Sequence, residues 1–363
     1  MKNTHKLAKT LLALSLSSIV SISNANEATQ RLEQRVDQLE KIVQDQNKTI
    51  LNQNKSEANA GFGVEFGALV EVEASFVDLE EGSESDIVVA TVELGAALNF
   101  TDNLSGEIVL LFEEDETDLE VDVAQLDYAF GDSAFSATLG QVYVPFGSYE
   151  TALISDTLTL EIGETRESIL SLNFETNGLG GSFYVFNGDA NEAGSSTIDN
   201  WGLSLGYSND VFNIAASYIN SIGDSDVIQD VIGDTQADDY TDGFSINGSV
   251  NFANVTLIGE FTTALDNFGE ELEGAEPSAT NLEINVGTSL FGKEATFAVA
   301  YQTTDEALIL ELPETRFLLG LGVDINDHFS AGIEYARDSD YDINEGGSGE
   351  DTDAIVVQFA ASL

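Results

Sequence analysis

Carboxylates are the side chains of this sequence with the most chemistry to offer. Glu65, Glu71, Glu73, Glu93, Glu107, Glu260, Glu283 and Glu334 all fall on the polar side of stretches in which apolar residues alternate with small or polar ones. Residues two apart share one face of a β-strand, so these eight acids are expected to project into whatever space that face encloses. The chain holds 65 Asp and Glu against 12 Lys and Arg, a formal net charge of −53. Beyond residue 60 only Arg166, Lys293, Arg316 and Arg337 are basic. A water-filled space lined by one sign of charge concentrates the opposite ion, and the expected chemistry is therefore cation-preferring permeation. General adaptation to salt, in which acidity serves solubility and not selectivity, would leave the same composition.

Other chemistries lack their parts. There is no Cys, so no thiolate nucleophile, disulfide or thiolate metal site. The two histidines, His5 near the N-terminus and His328 in an Asn-Asp-His turn, form no nucleophile–base pair, and an enzyme is not expected. A pI near 4.1 offers no basic face to nucleic acid. The run Asp338-Ser339-Asp340-Tyr341-Asp342-Ile343-Asn344-Glu345 has a calcium-loop flavour, but Ile343 stands where that loop needs Gly and Gly349 where it needs Glu. No metal site and no cofactor is expected, beyond diffuse binding of divalent cations by acidic loops.

The elements that must position the acids read in four parts. Residues 1–25 form a secretory signal peptide: Lys2, Lys6 and Lys9, an apolar core from Leu11 to Ile22, and a Ser23-Asn24-Ala25 cleavage site. Residues 26–55 place Leu32, Val36, Leu39, Val43 and Ile50 at heptad spacing, with Arg35 and Glu40 flanking the seam. That is a short coiled coil joining two or three chains, or else a solvated spacer helix. Residues 56–60 are a linker.

From residue 61 to residue 363 the period is two. Trp201, Leu203, Leu205 and Tyr207 alternate with Gly202, Ser204, Gly206 and Ser208, and Leu282, Ile284 and Val286 with Glu283, Asn285 and Gly287. Aromatic and aliphatic residues on one face, with Gly, Ser, Asn and Glu on the other, fit lipid outside and water inside. Sixteen segments follow, beginning near residues 62, 87, 105, 120, 134, 167, 179, 201, 211, 243, 254, 281, 293, 315, 328 and 352. Seven connections are tight and rich in Asn, Asp and Gly, among them Thr101-Asp102-Asn103, Asn177-Gly178 and Asn326-Asp327. The eight between them are longer and acidic. The expected fold is thus an all-β antiparallel transmembrane barrel of about 16 strands in an outer membrane, with the N-terminus periplasmic. Such a barrel has lipid and a small-molecule solute as partners.

One long connection stands apart. Residues 145–166 read PFGSYETALISDTLTLEIGETR and are more apolar than the other loops. Leu153, Ile154, Leu158, Leu160 and Ile162 need burial, which folding into the lumen or packing over the rim would supply. The inward alternative makes Pro145, Phe146, Tyr149, Glu150, Asp156, Glu161, Glu164 and Arg166 the pore constriction.

The same stretch carries a resemblance. Gly140-Gln141-Val142-Tyr143-Val144-Pro145-Phe146-Gly147, Glu150-Thr151, Ser155-Asp156-Thr157-Leu158-Thr159 and Glu161-Ile162-Gly163-Glu164-Thr165-Arg166 resemble the LbtU family of siderophore porins. The resemblance implies a plug-less sixteen-stranded barrel with a coiled N-terminal segment, and siderophores or ferric siderophores as cargo. It carries over no ligand residues. The alternative from another class is a structural or adhesive protein, with the N-terminal segment on the cell wall.

Overall fold

In the sheet face just described, every second side chain must find lipid and every intervening one water, and the computed structural model shows how the chain satisfies both. It describes residues 63–79, 82–115, 117–188, 197–232, 240–269 and 272–363. The signal peptide, the seam at Leu32, Val36, Leu39, Val43 and Ile50, and the linker all lie outside the described residues.

The strands are β1 (Gly63–Leu79), β2 (Gly82–Thr101), β3 (Leu104–Glu113), β4 (Thr117–Ala129) and β5 (Phe135–Tyr143). After residues 144–165 come β6 (Arg166–Thr176), β7 (Leu179–Phe186), β8 (Asn200–Ser208), β9 (Phe212–Ile219), β10 (Gly243–Phe252) and β11 (Val255–Ala264). The last five are β12 (Ser278–Leu290), β13 (Lys293–Asp305), β14 (Thr315–Asn326), β15 (Phe329–Ser339) and β16 (Asp351–Ser362). Each pairs antiparallel with its neighbours, and β1 pairs with β16 from Leu69↔Ser362 to Asp78↔Asp353. A closed sixteen-strand barrel results, with no free sheet edge. No helix among the described residues is long and apolar enough to cross a membrane.

The outer wall exposes what a soluble protein would bury. Phe66 is 81 % exposed, Leu282 58 % and Leu94 52 %, a continuous apolar band that only lipid can cover. Aromatics cluster at its two margins. Tyr128, Phe135, Phe212, Phe252 and Phe329 lie by the short turns; Phe76, Trp201, Tyr218, Tyr301 and Tyr335 lie by the long connections. These are the interfacial girdles of a membrane barrel.

The strand starts expected from alternation hold to within a few residues, with one exception. β2 begins at Gly82, not near residue 87, and pairs with β1 as far as Leu79↔Gly82. The first long connection is therefore an extended hairpin and not a loop. A register shift at Glu71/Glu73 reverses the alternation above it. Gly82-Ser83-Glu84-Ser85-Asp86 reads as loop because a two-sided polar ribbon carries no period-two signal.

Candidate functional site

The connection after β5 leaves the wall because of the residues that precede it. Gly140 has φ 139°, and a Cβ there would lie 2.1 Å from the Ala124 carbonyl oxygen. Only glycine permits that approach. Gln141 donates to the carbonyls of Val121 (2.7 Å) and Asp122 (3.0 Å), which β5 leaves unpaired. Arg166 returns the chain to the wall, bonding Asp122 at 3.0 Å and pairing also with Glu120, while the Tyr143 hydroxyl donates to Asp122 at 2.8 Å. Val144 N–H donates to Thr165 C=O at 2.9 Å and closes the base of the excursion. Residues 145–166 then form a strap against the inner faces of distant strands.

Three of the eight acids hold it. Ser148 and Tyr149 N–H both donate to Glu260 of β11 at 2.8 Å. Thr151 Oγ1 and Ala152 N–H donate to Glu283 of β12 at 2.7 and 2.8 Å. Ile154 N–H (2.7 Å), Ser155 N–H (3.2 Å) and Ser155 Oγ (2.5 Å) donate to Glu334 of β15. The strap therefore runs from β11 to β15 as it goes from residue 148 to 155. It reverses at Asp156, whose carbonyl accepts from Arg316 of β14 at 3.5 Å, and returns to β13, where Leu158 N–H donates to Gln302 at 3.0 Å. The returning limb is helix α1 (Leu158–Gly163), capped by the Thr157 hydroxyl accepting from Leu160 N–H.

This corrects part of the expectation. Glu260, Glu283 and Glu334 are at most 4 % exposed and accept main-chain donors, so they do not face open water. Phe146, expected at a constriction, is 2 % exposed within the apolar core. Tyr149 has a left-handed backbone (φ 53°), and its ring is wedged against Gly147 and Gly163, where a Cβ on either would come within 2.5 Å of the phenol. Burial and the Glu260 charge raise the Tyr149 hydroxyl well above its usual pKa. The spare backbone donors of an irregular segment must be satisfied wherever it is enclosed, and the wall glutamates satisfy them.

A second inward element was not anticipated. The β9–β10 connection carries helix α2 (Asp226–Ile232), and its Ile228 and Ile232 pack with Ile222, Leu158, Ile162 and Phe146. Leu272 and Phe268 from the β11–β12 connection, and Ala307 and Leu310 from β13–β14, belong to the same cluster. The spacing of Val227, Ile228, Val231 and Ile232 is a helical stripe within an acidic loop. That was the signal by which α2 could have been found. Asp226 N–H donates to Glu164 C=O at 2.9 Å, joining α2 to the end of α1. Burial, then the charges of Asp226, Asp156, Asp122 and Glu161, push the Glu164 carboxyl up to about 8.

The opposite wall stays open. Glu65 and Glu107 are exposed, and Glu71, Glu73 and Glu93 are half-buried on the same inward face of β1–β3. Glu107 accepts from Gln125 and Glu73 from Gln358. Asp156, at the tip of the strap, is exposed although protein rings it; the charge of Glu113 on β3 and the opposing charge of Arg316 act on it, and its own charge acts on Glu71 of β1. Among the described residues all three arginines are already paired with acids. Arg166 is held by Glu120 and Asp122, Arg316 by Asp338, and Arg337 by Asp351 and Asp353. No group of three or more His, Asp or Glu among the described residues is arranged to hold a metal ion. Asp338 is occupied by Arg316, and Asp340 by Ser348, whose donors hold its carboxyl below the usual range.

No family model matches the chain. A UPF0422 protein of Legionella pneumophila (strain Lens) is 26 % identical over 305 residues, covering 74 % of this chain and 57 % of that protein. A UPF0422 protein of Coxiella burnetii is 28 % identical over 226 residues, covering 58 % of this chain and 49 % of its own length. The chain thus spans about half the length of the curated relatives it matches. Among solved structures, the outer membrane channel DcaP of Acinetobacter baumannii superposes with TM-score 0.60 at 14 % identity, over 85 % of this chain and 99 % of that one. The anion-selective porin of Comamonas acidovorans gives 0.59 at 13 % identity, over 84 % and 100 %. OmpF of Salmonella typhi, in complex with daunomycin, gives 0.59 at 15 % identity, over 85 % and 99 %. Barrel, girdles and neighbours agree: the chain is similar in sequence to UPF0422 proteins and has the fold of an outer-membrane porin.

Proposed function

We propose that the barrel is a cation-preferring aqueous channel for small solutes, constricted where the tip of the strap approaches β1–β3. One observation carries the reading. Asp156, exposed at the tip of the strap, lies within electrostatic reach of Glu71 and Glu113, and Arg316, the basic group that acts on it, is already paired with Asp338. Acids in large excess over basic groups around a water-filled passage raise the local concentration of cations and repel anions. Glu65, Glu73, Glu93 and Glu107 extend the same field along the lumen. Of the residues expected at the constriction, Glu150, Asp156 and Glu161 carry the strap's charge in this reading, Glu164 stays largely protonated near neutral pH, and Phe146 and Tyr149 only support the strap.

The resemblance to siderophore porins extends the proposal to cargo. A strongly acidic lumen repels free polycarboxylates, so the fitting siderophore is metal-loaded and neutral or positively charged. In the same proposal the short turns and the N-terminus face the periplasm, the heptad segment joins two or three barrels, and the acidic loops collect divalent cations diffusely. Purified protein in a planar bilayer under a KCl gradient gives the test: a reversal potential of the sign for K⁺ permeation is expected. A reversal potential of the opposite sign overturns the reading. Ferric siderophores of each net charge are then compared as blockers of the current.

A further inference from the structure

We propose that Glu334 is a positioning residue of the aperture: it fixes the tip of the strap, Ser155-Asp156, without itself setting ion preference. The inference rests on the strap being the constriction. The position directly opposite Glu334 on β14 is Gly320, and Gly332 stands two residues before Glu334 on β15. With no side chain at either glycine, a slot opens beside the carboxylate. Leu153 and Ile154 settle into it: a Cβ on Gly320 would lie 2.6 Å from Leu153 Cδ2, and one on Gly332 would lie 3.3 Å from Ile154 Cδ1. Neither glycine has a positive φ, so the slot and not backbone conformation is what the missing side chains supply.

Within the slot Glu334 accepts Ile154 N–H, Ser155 N–H and Ser155 Oγ. These are the last bonds before the chain reverses at Asp156. The carboxylate is 1 % exposed, and Arg316 adds a positive charge beside it. Its charge is thereby met by fixed partners and contributes little to the field in the open lumen. The inward acids divide into two classes. Glu334, with Glu283 and Glu260 behind it, places the strap; Glu71, Glu93 and Asp156 face the permeating ion.

Single-channel recording separates these roles. Glu334→Gln leaves one oxygen and turns an amide donor toward the strap's donors; the tip loosens, so conductance rises and open-channel noise increases. Its reversal potential shifts less than that of Glu71→Gln, which removes a charge facing the ion and moves it toward zero. Gly320→Val fills the slot from beneath, lifts the strap toward β1–β3 and lowers conductance. Glu334→Asp, which keeps a carboxylate acceptor, restores part of the wild-type trace. Changes of the same sign in Glu334→Gln and Gly320→Val, or a reversal-potential shift in Glu334→Gln as large as in Glu71→Gln, overturn the proposal. Deleting residues 147–164 distinguishes the two levels. If deletion raises conductance but Glu334→Gln does not raise it, or Gly320→Val does not lower it, the positioning role alone fails. If deletion leaves conductance unchanged, the constriction itself fails and this inference with it.

Discussion

Glu260 holds the root of the strap as Glu334 holds its tip, and replacing it with glutamine should cost stability. Its carboxylate, 4 % exposed, accepts Ser148 N–H and Tyr149 N–H at 2.8 Å, Ser245 Oγ at 3.2 Å and Thr159 Oγ1 at 3.4 Å. The two hydroxyls can rotate to accept from an amide; the two main-chain N–H groups cannot. Glutamine keeps one oxygen, so one of those N–H groups loses its acceptor and meets an NH₂ instead. A buried donor left without a partner costs about 1–3 kcal/mol, and the surviving bond loses its ionic character. The expected loss for Glu260→Gln is therefore roughly 2–4 kcal/mol, read as a lower urea midpoint for protein folded in lipid vesicles, with unchanged slope. A loss below about 0.5 kcal/mol, the range of ordinary surface changes, would refute the claim that this carboxylate anchors the strap.

Two further outcomes follow from the buried loops. Leu158, 0 % exposed at the start of α1 within the cluster that α2 joins, should cost about 2–5 kcal/mol when truncated to Ala. The same urea titration checks it, and an unchanged midpoint would mean that the loops do not share one core. Glu164 gives a pH dependence: burial and neighbouring acids raise its folded pKa to about 8 from its ordinary 4.5. The folded state therefore binds the proton more tightly than the unfolded chain. The stability it contributes is fully present below pH 4.5 and lost as pH rises through about 8. Urea midpoints measured from pH 5 to pH 9 should fall across that window in wild type and fall less in Glu164→Gln; parallel curves would count against the assignment.

Sequence alone determined the barrel. A strand has period two, a bilayer needs about ten residues per crossing, and a closed antiparallel barrel joins each strand to the next. Every one of those facts is local, and so Leu282, Glu283 and Ile284 announce their faces without knowledge of anything distant. The composition of residues 145–166 likewise announced a need for burial. Tertiary structure decided where that need was met, because closure brings β11, β12 and β15 within reach of a loop more than a hundred residues away, as the bonds from Ser148 to Glu260 and from Ile154 to Glu334 show.

The same closure separated acids that look alike in the sequence. Glu283 and Glu93 share residue type, spacing and face, yet one is buried under main-chain donors and the other borders open water. Alternation fixes the direction in which a side chain points. What waits there is set by the parts of the chain that fold back into the enclosed space: Phe146 went into an apolar core because α2 was there to receive it, and Glu334 became a clasp because Gly320 left room for the strap.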